Sequence, residues 1–210
     1  MRFLDRNAVT EPSYLGRYRS GQDKWEDLAK DPNDYKEVRS RLDELQSGKC
    51  AYCESDFETL SKDPHVDHFR KRNQSPELTF QWGNLFCSCT TETHCARYKD
   101  KLKGLDSSLL LKPDEDNARG FLHFSTDGSV SPKLKLDDTS RRRAEETIRG
   151  FNLDSPKLRG ARRSYLRSIE GELRSVEEMG LSDSELHRYV EDLRQTYADG
   201  PFSTAILSLF

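Results

Sequence analysis

Two cysteine clusters, CAYC at 50–53 and CSCTTETHC at 87–95, enclose an HVDHF run and a WGNL run within 46 residues. No other feature of the chain limits its fold so tightly. Cysteines separated by two residues have the knuckle spacing of tetrahedral thiolate coordination, and a second cluster downstream can complete the tetrahedron around one zinc ion. The outer pairs, Cys50 with Cys53 and Cys89 with Cys95, are the assigned ligands. Strand alternation does not by itself choose between Cys87 and Cys89. An extended run that takes in Cys87 and a turn that starts at Cys89 favour Cys89, leaving Cys87 as a buried thiol. A metal site of this kind stands in for a core that so short a segment cannot build.

The residues between the clusters carry chemistry. In an extended run His65, Asp67 and Phe69 share one side and Val66 and His68 the other. Cleaving a phosphodiester needs an activated water, neutralised phosphoryl oxygens and a stabilised leaving oxygen. A hard divalent ion such as Mg²⁺ on Asp67 can supply the last two. His68, near neutral at cellular pH, can take the proton from water. Asn84, arriving on a second extended run, can hold the other ring nitrogen of His68 through its carbonyl oxygen. The competing reading is a plain zinc ribbon, a nucleic-acid-binding or adaptor module that performs no chemistry.

Composition narrows the setting. Of 210 residues, 33% are hydrophobic and 34% charged, which predicts a thin core and much solvated helix surface. The net charge of −3 does not mark a nucleic-acid binder, but phosphate contact depends on local patches. Arg70, Lys71 and Arg72 follow the candidate site directly, and Lys99 follows the last cysteine; these four are the candidate nucleic-acid contacts. The opening MRFLDRNAVTEP lacks the apolar stretch of an export signal, and no apolar run reaches membrane-spanning length. A cytoplasmic location is expected, where cysteines serve as metal ligands or buried thiols rather than disulfides.

Along the chain, residues 1–30 read as an irregular arm with a short helix near Trp25. Asp31-Pro32 opens a helix carrying Tyr35, Val38, Leu42 and Leu45, and Gly48 stops it. Pro64 to Phe69 and Phe80 to Phe86 are extended candidates, followed by a helix from about His94 to Leu102. Leu109 to Leu111 reads as a buried strand. Phe121 to Val130 reads as a hairpin about Thr126-Asp127-Gly128. From Thr139 the chain is helical: one helix holds Ala144 and Ile148, a longer one Tyr165 to Val176. Ser182 and Glu185 form a capping box for a third, with Leu186, Tyr189, Val190, Leu193 and Tyr197 on its stripe. The apolar tail PFSTAILSLF folds back on these helices or docks on another protein. The expected division is 1–45, 46–105, 106–135 and 136–210.

The pieces CAYCE at 50–54, HVDHFRK at 65–71, LTFQWGNLFCSC at 78–89, His94-Cys95 and Lys99 together resemble the HNH endonuclease superfamily, and most closely the retron-associated and Septu-type HNH proteins of bacterial anti-phage defence. LLLKPDED at 109–116 and ETIRGFNLDSPKLRGARR at 146–163 extend the likeness to that family's C-terminal half. The resemblance implies an α+β fold, with a zinc-stabilised ββα-metal nuclease core, an N-terminal helix and a helical C-terminal extension. It implies His68 as general base, Asp67 as metal ligand and Asn84 as the orienting residue. It also implies an ABC-type or SMC-like ATPase partner. DNA is the first expected target, with RNA as the alternative. The pattern departs at the second catalytic-metal ligand: the positions after the last cysteine are Ala96 and Arg97, which leaves His65, His94, or water alone.

Overall fold

The computed structural model describes residues 1–58, 64–178 and 180–209. After an arm with two 3-10 turns, Arg6–Ala8 and Leu15–Arg17, helix α1 spans Trp25–Lys30. Asp31 then starts α2 (Pro32–Gln46) by accepting the N–H groups of Asn33 and Asp34. Pro32 sits where a helix has no use for an N–H. Val38, Leu42 and Leu45 form its buried stripe, each worth about 1.5–3 kcal/mol of apolar burial. Ser47 and Gly48 end it by turning to φ of 52° and 70°.

Strands β1 (His65–His68) and β2 (Leu85–Ser88) pair antiparallel, with Asp67 opposite Phe86 and His68 opposite Leu85; α3 (Cys95–Lys101) follows. A two-stranded ribbon is marginal alone, and side chains strap this one to its neighbours. Gln46 at the end of α2 brackets Cys87, its Oε1 accepting the Cys87 N–H at 2.7 Å while its Nε2 donates to the Cys87 carbonyl at 2.9 Å. From α3, Lys99 Nζ donates to the His68 carbonyl at 2.8 Å.

A second ribbon, β3 (Leu122–Phe124) with β4 (Val130–Pro132), turns through Gly128. There φ is +83° and an added Cβ would come within 2.2 Å of the Arg159 carbonyl oxygen, so no other residue fits. Among the described residues, four helices follow: α4 (Asp138–Phe151), α5 (Pro156–Glu178), α6 (Asp183–Ala198) and α7 (Ser203–Ile206). The fold is α+β. One apolar core runs from the arm through both ribbons to Leu158 of α5, and a small satellite of Leu166, Ile169 and Ile206 joins α5 to α7. No helix among the described residues is long and apolar enough to cross a membrane.

Several expectations change. The second extended run is not a strand from Phe80: Trp82–Asn84 is a 3-10 turn and pairing begins only at Leu85, after the Leu85 N–H has closed that turn on Trp82. Leu109 to Leu111 is not a strand. Ser107–Leu109 makes a 3-10 turn, and the buried Leu111 N–H is satisfied by Thr147 Oγ1 at 2.8 Å instead of by a neighbouring strand. Of the two outcomes open to the tail, the fold-back is the one observed, with Phe202, Ala205 and Ile206 buried. Its anchor is Glu54 beside the cysteine knuckle, whose carboxylate accepts Thr204 N–H at 2.9 Å and Ser203 Oγ at 3.0 Å. Arg162 of α5 is buried and donates to the carbonyls of Gly128 (2.7 Å) and Leu153 (2.8 Å), which ties α5 to the second ribbon.

Candidate functional site

The knuckle at 50–53 is made by a tight reversal in which Cys50 N–H bonds Ser55 O and Glu54 N–H bonds Cys50 O, each at 3.0 Å, with Glu54 at φ +63°. Cys89 leaves the end of β2. Cys95 opens α3 at φ +61°, a setting that costs a non-glycine residue on the order of 1 kcal/mol or more. The result gathers the sulfurs of Cys50, Cys53, Cys89 and Cys95 within 4.8 Å of one another, all buried.

Cys50 and Cys95 Sγ lie 3.8 Å apart, which is about the edge of a tetrahedron of thiolates around zinc at a Zn–S distance of about 2.3 Å. Cys87 lies outside the cluster in β2; burial pushes its thiol up to about 12, so it stays protonated. Burial opposes ionisation of Cys53, yet hydrogen bonds from Cys50, Cys89, Cys95 and His94 bring it well below the ordinary thiol range. Burial and then the contact with Cys50 hold Cys95 well above it. Sulfurs packed this closely can all become anionic only around a cation, so the donor set fits a borderline-soft metal ion. Outer donors are in place too: the Cys89 N–H points at Cys50 Sγ (3.4 Å) and Ser55 Oγ lies 3.1 Å from Cys53 Sγ.

Beside this cluster a cavity of about 510 Å³ opens over β1, walled by His65, Asp67, His68, Trp25, Arg72 and Asp100. Asp67 is buried. Its Oδ2 accepts the Tyr52 hydroxyl at 2.5 Å and lies 3.2 Å from Lys99 Nζ, while no donor among the described residues reaches Oδ1. Burial raises its carboxyl above the ordinary range, and Lys99 only partly offsets this. His68 packs edge-on against Trp25 at 4.5 Å, and its Nε2 lies 3.0 Å from the Thr79 carbonyl oxygen. A carbonyl can only accept, so Nε2 carries the hydrogen and Nδ1 the lone pair. Burial lowers the imidazole to about 4, leaving it neutral at pH 7. His65 is likewise lowered by burial, and its Nδ1 is buried without a partner among the described residues. An orphaned ring nitrogen beside a carboxylate on the same strand suits a divalent ion completed by water. Among the described residues, no three ligating side chains other than the cysteines converge closely enough to form a cage.

The structure thus brings His65, Asp67 and His68 to one cavity and separates them from other expected site residues. Asn84 does not hold His68. Its Oδ1 accepts the Arg70 N–H at 2.7 Å and its Nδ2 donates to the carbonyls of Arg70 and Leu78, each at 3.1 Å. It braces the chain on both sides of the ribbon and so fixes the segment that presents the Thr79 carbonyl. Lys99 is fully buried among backbone carbonyls and carboxylates and cannot meet nucleic acid. His94 sits on the cysteine cluster, Nδ1 3.1 Å from Cys95 Sγ, and is no ligand of the cavity.

Arg70 donates to Ser107 Oγ (2.8 Å) and Lys71 to the Asp100 carbonyl (2.9 Å), while Arg72 pairs with Glu26 across the rim at 2.7 Å. Sequence reasoning missed Tyr52, Thr79, Trp25 and Asp100. Thr79 acts through its backbone and leaves no side-chain signal. Tyr52 had one, a polar tip inside a knuckle otherwise made of small residues.

No protein-family model matches the chain. It is similar to the retron Vc95 putative HNH endonuclease of Vibrio cholerae, 26% identical over 135 residues that cover 63% of this chain and 64% of that protein. It is also similar to the Septu protein PtuB of Bacillus mycoides, 29% identical over 183 residues covering 74% and 59% of the two chains. A shorter match, 36% over 52 residues, joins it to the Septu protein PtuB of Bacillus thuringiensis and covers 25% of this chain and 20% of that one. The chain therefore spans less than two thirds of the length of each of these relatives. The likeness to retron and Septu HNH proteins, drawn above from motifs, holds across these matches.

Proposed function

We propose that this chain is a metal-dependent HNH endonuclease that hydrolyses phosphodiester bonds of nucleic acid, and that it serves as the nuclease subunit of an anti-phage defence complex with an ATPase. The observation that carries the reading is the neutral His68, tautomer fixed on the Thr79 carbonyl, beside Asp67 in one cavity. In this reading β1, β2 and α3 form a ββα-metal unit within residues 46–105, pinned by zinc on Cys50, Cys53, Cys89 and Cys95. Asp67 and His65 would hold a hard divalent ion such as Mg²⁺, which when bound neutralises charge on the phosphoryl and leaving oxygens.

His68 Nδ1 takes a proton from water as the water oxygen attacks phosphorus and the bond to the leaving oxygen breaks. A pKa near 4 is low for a general base, and the negative charge of a bound phosphodiester raises it toward neutrality. Trp25 packs against the ring and, with Thr79, fixes its plane. Arg72 and Lys71 on the rim would meet phosphates, Arg72 exchanging Glu26 for one. DNA is the first target to test and RNA the second. With the tail folded away, α6 offers an ATPase an open face in the helical C-terminal half, where Leu186 is exposed and Tyr189 and Val190 are half-buried.

One observation favours a second reading, an adaptor without chemistry: Asp67 Oδ2 is already engaged by Tyr52 and Lys99. Incubating the protein, alone and with its ATPase, with plasmid DNA and with total RNA in Mg²⁺ or Mn²⁺ decides between them. Cleavage that falls on the order of 10²–10⁴-fold in His68→Ala, with the fold retained, supports the nuclease. Wild-type protein that cuts neither polymer under any of these conditions supports the adaptor.

A further inference from the structure

Asp67 is the least solvent-accessible group in the cavity wall, and two side chains from different elements converge on one of its oxygens. Tyr52 Oη donates to Oδ2 at 2.5 Å and Lys99 Nζ reaches the same atom at 3.2 Å. One carboxylate oxygen offers two lone pairs, so Oδ2 is saturated and Oδ1 alone is left for the cavity. Tyr52 lies between Cys50 and Cys53, inside the knuckle, and is fully buried. Its ring stacks on Phe151 of α4 at 4.1 Å and 19°, which locks the direction of its hydroxyl. The knuckle thus reaches the cavity through one rigid side chain whose place is set at one end by the cysteines and at the other by α4.

We infer that Tyr52 is a positioning residue that transmits the geometry of the four-cysteine cluster to Asp67, holding the carboxylate so that only Oδ1 faces a divalent ion. This rests on the nuclease reading above, which gives Asp67 that ion. The cysteine cluster then has a second role, since besides pinning the fold it aims an acidic ligand. Groups that orient a ligating carboxylate in this way are typically worth about 10–100-fold in metal affinity. Lys99 shares the oxygen, but four contacts, to the carbonyls of His68 and Phe69 and to Asp67 and Asp100, tie it to the ribbon. It holds β1 on α3, whereas the Tyr52 hydroxyl has one hydrogen bond among the described residues, to Asp67.

Tyr52→Phe removes that hydroxyl and keeps the ring on Phe151. The full-length protein, wild type and variant, is titrated with Mn²⁺ and the free ion is read by electron paramagnetic resonance. Occupancy of the cysteine cluster is read separately, by metal content and by the thiolate charge-transfer band of the Co²⁺-substituted protein. The expected result is Mn²⁺ affinity weaker by about tenfold in Tyr52→Phe, with the Co²⁺ band and metal content unchanged. Nuclease activity lost at low Mn²⁺ should return at high Mn²⁺. Equal Mn²⁺ affinity in the two proteins overturns the inference. So does a variant that loses its cluster metal along with Mn²⁺, since Tyr52 would then be part of the knuckle's own stability. Wild-type protein that binds no Mn²⁺ and, alone or with its ATPase, cleaves nothing overturns the nuclease reading itself, a failure that needs no variant to detect.

Discussion

The ribbon around the cavity and the pair of helices α5 and α6 are held together by different physics. Around β1 and β2 the interior is polar and closely paired: Gln46, Asn84, Lys99 and Tyr52 each satisfy buried groups on another element. At the far end, among the described residues, α6 buries one residue, Leu193, and the satellite core is Leu166, Ile169 and Ile206. The first region has little tolerance, because an unpaired buried polar group costs about 1–3 kcal/mol and a bared charge more. The second tolerates most change, because a thin apolar stripe has few contacts to lose. A small protein can keep a precise site by concentrating its specificity in one place and leaving the rest of the surface free.

The largest effect should come from the cysteines. Cys53→Ser, or a strong chelator, should remove the metal and unfold the ribbon region, since structural zinc sites supply folding free energy of about 10 kcal/mol or more. Cys87→Ala, at an equally buried position outside the cluster, should cost only about 1–2 kcal/mol, as other small buried truncations do. Metal content and thermal unfolding of both variants test the contrast. If metal survives loss of Cys89 and disappears with Cys87, the ligand set is wrong and the comparison between tolerant and intolerant positions fails with it.

A smaller effect follows from His68. In the unfolded chain its imidazole protonates near 6.5, and in the folded chain burial lowers this to about 4. Between those values the unfolded chain binds more protons, so stability rises with pH. It is complete above about pH 6.5 and declines as pH falls toward 4, by about 3 kcal/mol at about 1.4 kcal/mol per pH unit. Asp67 acts with the opposite sign, because burial raises its carboxyl and protonation relieves it. The difference between wild type and His68→Gln isolates the histidine. Urea midpoints of both proteins from pH 7 to pH 4 should converge as pH falls, and parallel curves would mean that the ring is solvated.

What the sequence made legible follows the same division. The cysteine quartet, the Asp67-His68 pair, α2 and the Gly128 turn all depend on residue type at fixed spacing, which a sequence displays directly. Thr79 was invisible because its contribution is a carbonyl. Asn84 was seen, but its role was misplaced, since an amide can hold backbone as readily as an imidazole and only the 3-10 turn at Trp82–Asn84 aims it. Lys99 looked like a phosphate contact because it stands in a basic run with Lys101 and Lys103 after the last cysteine; in the structure those two are exposed and Lys99 is turned inward. The capping box at Ser182 and Glu185 set the start of α6 correctly, yet its apolar stripe gave no sign of how little of it would be covered.

That half-covered stripe carries the smallest prediction and the most direct test of the contrast. Leu193 and Leu186 lie two turns apart on α6, at 8% and 38% exposure. Leu193 is the buried contact of this helix, so Leu193→Ala should cost about 2–3 kcal/mol, the lower part of the range for buried leucines, because one side of the site is open enough to relax. Leu186→Ala removes a side chain that water already reaches and should stay within about 0.5 kcal/mol. Denaturant unfolding of the two variants side by side reads the difference. Equal losses would show that α6 is packed along its whole stripe and that this end of the molecule is as intolerant as the ribbon. A Leu186 variant with unchanged stability leaves its face free for a partner, as a surface that the fold itself does not need.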